Sequence, residues 1–285
     1  MTSDNKWNIR IEDHALFIDD TKTSKVILQQ NGHKGLRPYI HPLRGPDGSS
    51  CLTEDSPFHH PWQHGISTGF HGVNDCDFWF DKGQVVGADI GTIDTSLPRI
   101  LGVDPPNWAV DAMWRDTVGA PMLFEQQAWM LIPEDDVLLL DLDWQMMAIP
   151  DIKMQKASYG GLFLRMPFRT GNESAVINSE SQRDDDTEQQ RAKWVDCFMS
   201  IERSKTGSGI TICDHPGNPG HPAYWRVDSQ RGINPSPCIP GPIELAPGAS
   251  IRCKYRLILH TGTLSPEKIN RYFEAFAKEP SATHV

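Results

Sequence analysis

The sequence predicts an all-β protein: a large antiparallel β-sandwich with one packing helix at its C-terminus. Three observations lead there. Apolar and polar residues alternate at period two in the longest patterned segments. The 23 glycines and 22 prolines are spread along all 285 residues, cutting the chain into short runs between turns. Only the C-terminal segment carries a well-marked helical signature.

In chain order, WNIRI (7–11) and KVILQQ (25–30) are strand-like. GLRPYIHPL (35–43) is extended, because a proline disfavours helical backbone in the residue before it. In a strand, Arg37, Tyr39 and His41 then share one face. QQAWMLI (126–132) is the next strand. In 138–146, Leu138, Leu140, Leu142, Trp144 and Met146 alternate with Leu139, Asp141, Asp143 and Gln145, as a half-buried antiparallel strand requires. GLFLRM (161–166), KWVDCFMSI (193–201) and GITIC (209–213) follow, with Trp194 and Asp196 on one face. Residues 251–259 alternate again through Ile251, Cys253, Tyr255, Leu257 and Leu259.

The helix is SPEKINRYFEAFAK (265–278). Ser265 suits the N-cap, Pro266 the first turn, and Glu267 complements the helix dipole. Ile269, Tyr272, Phe273 and Phe276 form one apolar stripe for docking on a sheet. The acidic SQRDDDTEQQR (181–191) is expected to be a solvated loop that could close over a site. With no internal repeat and no linker, residues 1–285 are expected to form a single sandwich domain.

The net charge of −10 (27 Lys+Arg against 37 Asp+Glu) argues against nucleic-acid and anionic-membrane partners. It leaves room for a few arginines in a local pocket. The start, MTSDNKWNIR, lacks a signal-type apolar run, and the longest apolar stretch, VLLLDLDW, is too short to span a bilayer. The expected location is cytoplasmic. Six cysteines without a CxxC pair are expected to be isolated thiols.

Polar chemistry concentrates in three places. Six of the eleven histidines fall between 33 and 71, three of them in HHPWQHG (59–65). His60 and His64 have the i, i+4 spacing of a helical zinc pair, but Pro61 and Gly65 oppose the helix, and no glutamate accompanies them. The second concentration, DHPGNPGHPAYWR (214–226), offers Asp214, His215, His221 and Arg226 around Tyr224 and Trp225, on a path stiffened by three prolines. The third is the Arg37–Tyr39–His41 face. For each, a structural role (a packed tryptophan, backbone-bonded histidines, an internally capped loop, a salt bridge) stands beside the functional one.

The segments LRPYIHPLRGPDG (36–48), HPWQHG (60–65), VNDCDFW (73–79), RAKWVD (191–196) and DHPGNPGHPAYW (214–225) together resemble the DUF6807 family, labelled PmoA-like or "methane oxygenase PmoA". The chain departs from the family pattern at His59 and Gln63, where relatives tend to carry Asp and His, and at His41, where an aromatic is common. The resemblance implies a galactose-mutarotase-like supersandwich, whose concave sheet often binds carbohydrate with His and carboxylate pairs. It does not imply copper chemistry, since no obvious copper cluster or membrane span is present.

The expected function is a soluble enzyme acting on a carbohydrate or glycoside-derived small molecule by acid–base hydrolysis, β-elimination or epimerisation. His64 and His221 are the proton-transfer candidates, and Asp214 or Asp196 orients a histidine. Arg37, Tyr39, His41, His60, Trp62, Tyr224 and Trp225 are the expected binding residues. No cofactor is predicted. Two alternatives stay open: a divalent-metal enzyme using His60 and His64 as ligands, and a non-catalytic carbohydrate-binding protein. A homo-oligomer is compatible with either.

Overall fold

The computed structural model describes residues 6–85, 87–202 and 206–280. Two large antiparallel sheets face each other. The eight-stranded sheet runs, in spatial order, Trp7–Glu12, Ala15–Asp20, Val26–His33, Leu36–Leu43, Ile66–Gly69, Gly161–Arg165, Gly232–Pro235 and Trp225–Val227. The second runs Ser174–Asn178, Trp194–Met199, Ser208–Asp214, Ser250–Thr261, Val137–Ala148, Pro121–Glu134, Pro106–Arg115 and Thr92–Thr95, with Arg99–Val103 also paired to Pro106–Arg115. The all-β sandwich read from the sequence is present.

The period-two segments explain the layers. Leu138, Leu140, Leu142, Trp144 and Met146 all point into the main core between the sheets, as do Cys253, Tyr255, Leu257 and Leu259 opposite them. The out-of-phase residues Leu139 and Ile258 are also buried, because the C-terminal helix covers that outer face. The helix spans Pro266–Phe276, with the Ser265 hydroxyl accepting from the Lys268 N–H. Ile269, Phe273 and Phe276 seat against Val137, Leu139, Trp194 and Ile258. Each such buried side chain contributes about 1.5–3 kcal/mol. The Trp194 indole also donates to Asn270 Oδ1 at 2.8 Å, which fixes the helix in register.

An acidic side chain lies among the core tryptophans. Glu125 is fully buried and accepts four hydrogen bonds: from the Thr68 hydroxyl (2.6 Å), Gln127 Nε2 (2.8 Å), and the indoles of Trp144 (2.8 Å) and Trp114 (2.8 Å). Such a carboxylate is tolerated because donors from both sheets replace its water.

All six cysteines are free thiols. Burial pushes the Cys238 and Cys253 thiols up to about 12, so neither is a ready nucleophile. No helix among the described residues is long and apolar enough to cross a membrane. The acidic stretch 181–191 forms a short 3-10 turn, Asp184–Thr187, tied down at both ends. Arg231 pairs with Asp184 at 3.0 Å, while Glu188 accepts from the Val227 N–H at 2.6 Å and pairs with Arg226.

Candidate functional site

In the strand Gly161–Arg165, Leu162 and Leu164 enter the core, so Phe163 and Arg165 face outward. In Leu36–Leu43, Ile40 enters the core, and Arg37, Tyr39 and His41 share the outer face, as their alternation predicts. Residues 53–65 and 70–81 fold over this face, with His64 on Tyr39, Thr53 on His41, and Trp79 and Asp81 on Arg37.

HHPWQHG is no helix. Its flanks pair as a tight hairpin, with Ser56 N–H donating to the Gln63 carbonyl and Gly65 N–H to the Glu54 carbonyl, both at 2.9 Å. Two successive turns fill the tip, closed by His60 N–H to Pro57 O and Gln63 N–H to His60 O. Gly65 sits at φ +38°, and a Cβ there would lie 2.1 Å from the Ile40 carbonyl oxygen. Only glycine allows the hairpin to lie this close to the sheet.

That close approach buries His64 to 5% exposure, between two carboxylates. Its Nδ1 is 2.5 Å from Asp55 Oδ1 and its Nε2 is 2.7 Å from Asp81 Oδ2. Tyr39 packs on the imidazole at 4.9 Å between ring centroids, and His41 lies behind, hydrogen-bonded to the Thr53 hydroxyl. Burial disfavours the imidazolium, but the bonds to Asp55 and Asp81 outweigh it and raise the His64 pKa above its usual value. Burial also opposes ionisation of the two carboxylates, yet their contacts with His64 leave both below the usual range. Burial, with the charges of Asp55 and Asp81, pushes the Tyr39 phenol up to about 12. Arg37 completes the cluster by donating to Asp81 Oδ1 (3.1 Å) and to the carbonyls of Thr68 (3.0 Å) and Trp79 (2.9 Å).

A pocket of about 160 Å³ opens beside this cluster. Its walls are the rings of Trp62, Trp79, Phe80, Tyr159 and Phe163. Trp79 contacts Tyr159 at 4.6 Å and Phe163 at 5.2 Å, while Trp62 meets Phe80 edge-on at 4.8 Å. His60, Gln63, Arg226 and Asp228 supply its polar atoms. The fully buried Arg165 guanidinium underlies them, bonded to Gln63 Oε1 (2.7 Å), the Gln230 carbonyl (2.7 Å) and Asp228 Oδ2 (3.2 Å). Burial first, then the Arg165 charge, lowers the His60 pKa, so this imidazole is neutral at pH 7. The Tyr159 phenol, raised by burial, stays protonated. A larger depression of about 310 Å³ near Arg44, Cys51 and Arg169 has no aromatic wall.

The loop 214–223 is built differently. Asp214 is 1% exposed and accepts from Asn218 Nδ2 (2.7 Å), His221 Nδ1 (2.7 Å) and the Ala223 N–H (2.9 Å). His221 stacks on Phe273 of the helix, and His215 meets Phe276 and the Glu279 carbonyl. Arg191 clamps the far side through the carbonyls of Gly220, His221 and Pro222, and its guanidinium lies over Tyr224. Trp225 is fully buried in the main core and bonds the Ala192 carbonyl at 2.9 Å. Asp196 pairs instead with buried His260 (2.9 Å) and the Thr211 hydroxyl (2.8 Å).

The composite arrangement expected from the sequence is therefore divided. Arg37, Tyr39 and His41 gather at His64, and His60 and Trp62 line the neighbouring pocket. Among the described residues, no hydrogen bond, ion pair or ring contact joins His221, Asp214 or Asp196 to that cluster. The sequence reading missed Asp55, Asp81, Tyr159, Phe163 and Asp228. Of these only Phe163 stood in a quoted segment, the strand GLFLRM; Trp79, also missed as a pocket residue, stood in the motif VNDCDFW. Concerning metal, both His64 nitrogens are engaged by carboxylates. Among the described residues, no group of three or more His, Cys, Asp or Glu side chains is placed to hold an ion.

The model of DUF6807, described as a family of unknown function, matches residues 24–274. The chain belongs to the DUF6807 family. All five resembling segments lie inside the part matched to DUF6807. No curated protein matches the chain. Among solved structures, an α-galactosidase of glycoside hydrolase family 36 from Geobacillus stearothermophilus, in complex with raffinose, aligns at TM-score 0.34 and 9% identity, over 90% of this chain and 41% of that one. The galactosidase domain of an α-galactosidase-sucrose kinase aligns at TM-score 0.32 and 10% identity, over 90% and 40%. The DUF6807 chain thus spans about two fifths of their length. Likeness this distant does not extend to substrate or mechanism.

Proposed function

We propose that the chain is a carbohydrate-directed enzyme that holds one sugar ring in the aromatic pocket and exchanges a proton with it through His60. The observation that carries this reading is the pocket itself: five aromatic rings around a monosaccharide-sized space, with a neutral imidazole in its lining. Ring faces pack on the C–H surfaces of a sugar, and polar groups at the edge recognise its hydroxyls.

The proton-transfer role moves from His64 to His60 on chemical grounds. A general base needs an unprotonated nitrogen near pH 7, which the lowered His60 pKa provides. His64 is held charged with both nitrogens engaged, which suits a positioning residue fixing the hairpin that carries His60. Tyr159 is the candidate acid, being a protonated phenol on the pocket wall. Hydrolysis, elimination and epimerisation all use such a pair.

The test begins with titration of methyl glycosides of glucose, galactose and mannose, followed by tryptophan emission. Saturable binding that is lost in Trp62→Ala is the expected result. Proton NMR of the same mixtures in D2O then reads bond cleavage or exchange of a ring C–H for deuterium. Absence of binding across the panel would overturn the reading.

A further inference from the structure

A second depression, of about 490 Å³, adjoins the aromatic pocket. The two share a dividing wall made of two short segments. His59 lines the larger space and His60 the smaller; likewise Gln230 lines the larger and Asp228 the smaller. His59 and His60 are consecutive, with Cα atoms about 3.8 Å apart, so along this segment a single chain separates the two spaces. In that wall His59 and His60 are bonded to each other through Nδ1 at 2.7 Å.

The aromatic surface continues across it. His59 meets His60 at 5.0 Å, His60 meets Trp62 at 5.3 Å, and Trp62 meets Phe80 at 4.8 Å. On the far side, Phe58 at the hairpin tip is 100% exposed and lines the second depression together with half-buried Phe168. A single exposed apolar residue is ordinary. This one stands in the lining beside His59, and the charged side chains there are already paired, Arg169 with Glu54 at 2.7 Å and Asp55 with His64 at 2.5 Å.

We infer that the ligand is a two-ring glycoside: its sugar ring occupies the aromatic pocket, its second ring rests on Phe58 in the adjoining depression, and the linkage crosses the His59–His60 wall. This deepens the carbohydrate reading and rests on it. The chemical class is a glycoside with a cyclic aglycone, either a second sugar or an aromatic group.

The experiment compares phenyl with methyl glycosides of glucose, galactose and mannose, titrated by tryptophan emission against wild type and Phe58→Ala. Because Phe58 is fully exposed, its removal leaves the fold intact. For the sugar that binds best, wild type should prefer the phenyl glycoside by about five-fold or more, the size of one aromatic ring contact. In Phe58→Ala that ratio should fall to about one. A ratio near one in wild type, or a preference that survives Phe58→Ala, overturns the two-ring inference and leaves the single-ring reading standing. Binding of neither series overturns the carbohydrate reading itself.

Discussion

The hairpin 56–65 and the loop 214–223 look alike in sequence: each is rich in His, Pro and Gly, and each contains a histidine bonded to an aspartate. They differ in what surrounds those pairs. In the loop, Asp214 accepts three bonds from its own segment, and His215 and His221 press on the helix. In the hairpin, His64 is equally engaged, but His60 and Trp62 open onto a cavity. Residue type does not separate the two regions; the polar and aromatic atoms beside open space do.

That contrast can be broken most sharply at His60. His60→Ala should lose turnover of an identified glycoside by about 100-fold or more, with an unchanged melting temperature. His221→Ala should keep turnover in the folded protein, measured in the same assay. Equal losses in both would erase the distinction between the regions.

The next effect is on stability. Asp214→Ala removes a buried acceptor, leaves His221 Nδ1 and the Ala223 N–H without it and takes one of the Asn218 bonds, costing about 3 kcal/mol or more in chemical denaturation. Glycoside affinity in the folded fraction should persist. A neutral outcome on stability would deny the loop its bracing role.

The smallest effect is a pH dependence. The folded pKa of His64 is raised above 6.5, so its stabilisation is complete below that pH and is lost as pH climbs through the folded value. His260, for which the charge and hydrogen bond of Asp196 overcome burial, acts with the same sign. Their joint contribution should therefore decline from about pH 6.5 upward, against an opposite contribution from His41, His60 and His215, whose pKa values burial lowers. His64→Gln should flatten that decline in part and His64→Gln/His260→Gln further. An unaltered slope in both would remove the charged-imidazole account.

The layers of this fold were legible because alternation reports them directly: 138–146 and 251–259 point into the core as their pattern requires, and Arg37, Tyr39 and His41 share a face. The helix was legible from its cap and stripe. The pocket was not. Gly161–Arg165 pairs with Ile66–Gly69, and the segments beside these strands bring Trp79 onto Phe163 and Tyr159, contacts that no local pattern announces. His64 takes its partners from 9 residues before and 17 after, both in loops without periodicity. Glu125 hid for the opposite reason. It stands at a core-facing position of Pro121–Glu134, where a charge interrupts the apolar pattern and only its donors from both sheets explain it.

The most direct test of the central claim is a crystal soaked with the methyl glycoside that binds best. The sugar ring should lie among Trp62, Trp79 and Tyr159, with an oxygen or ring C–H within reach of His60. A sugar bound instead against His221 and Asp214, with the aromatic pocket empty, would contradict the account.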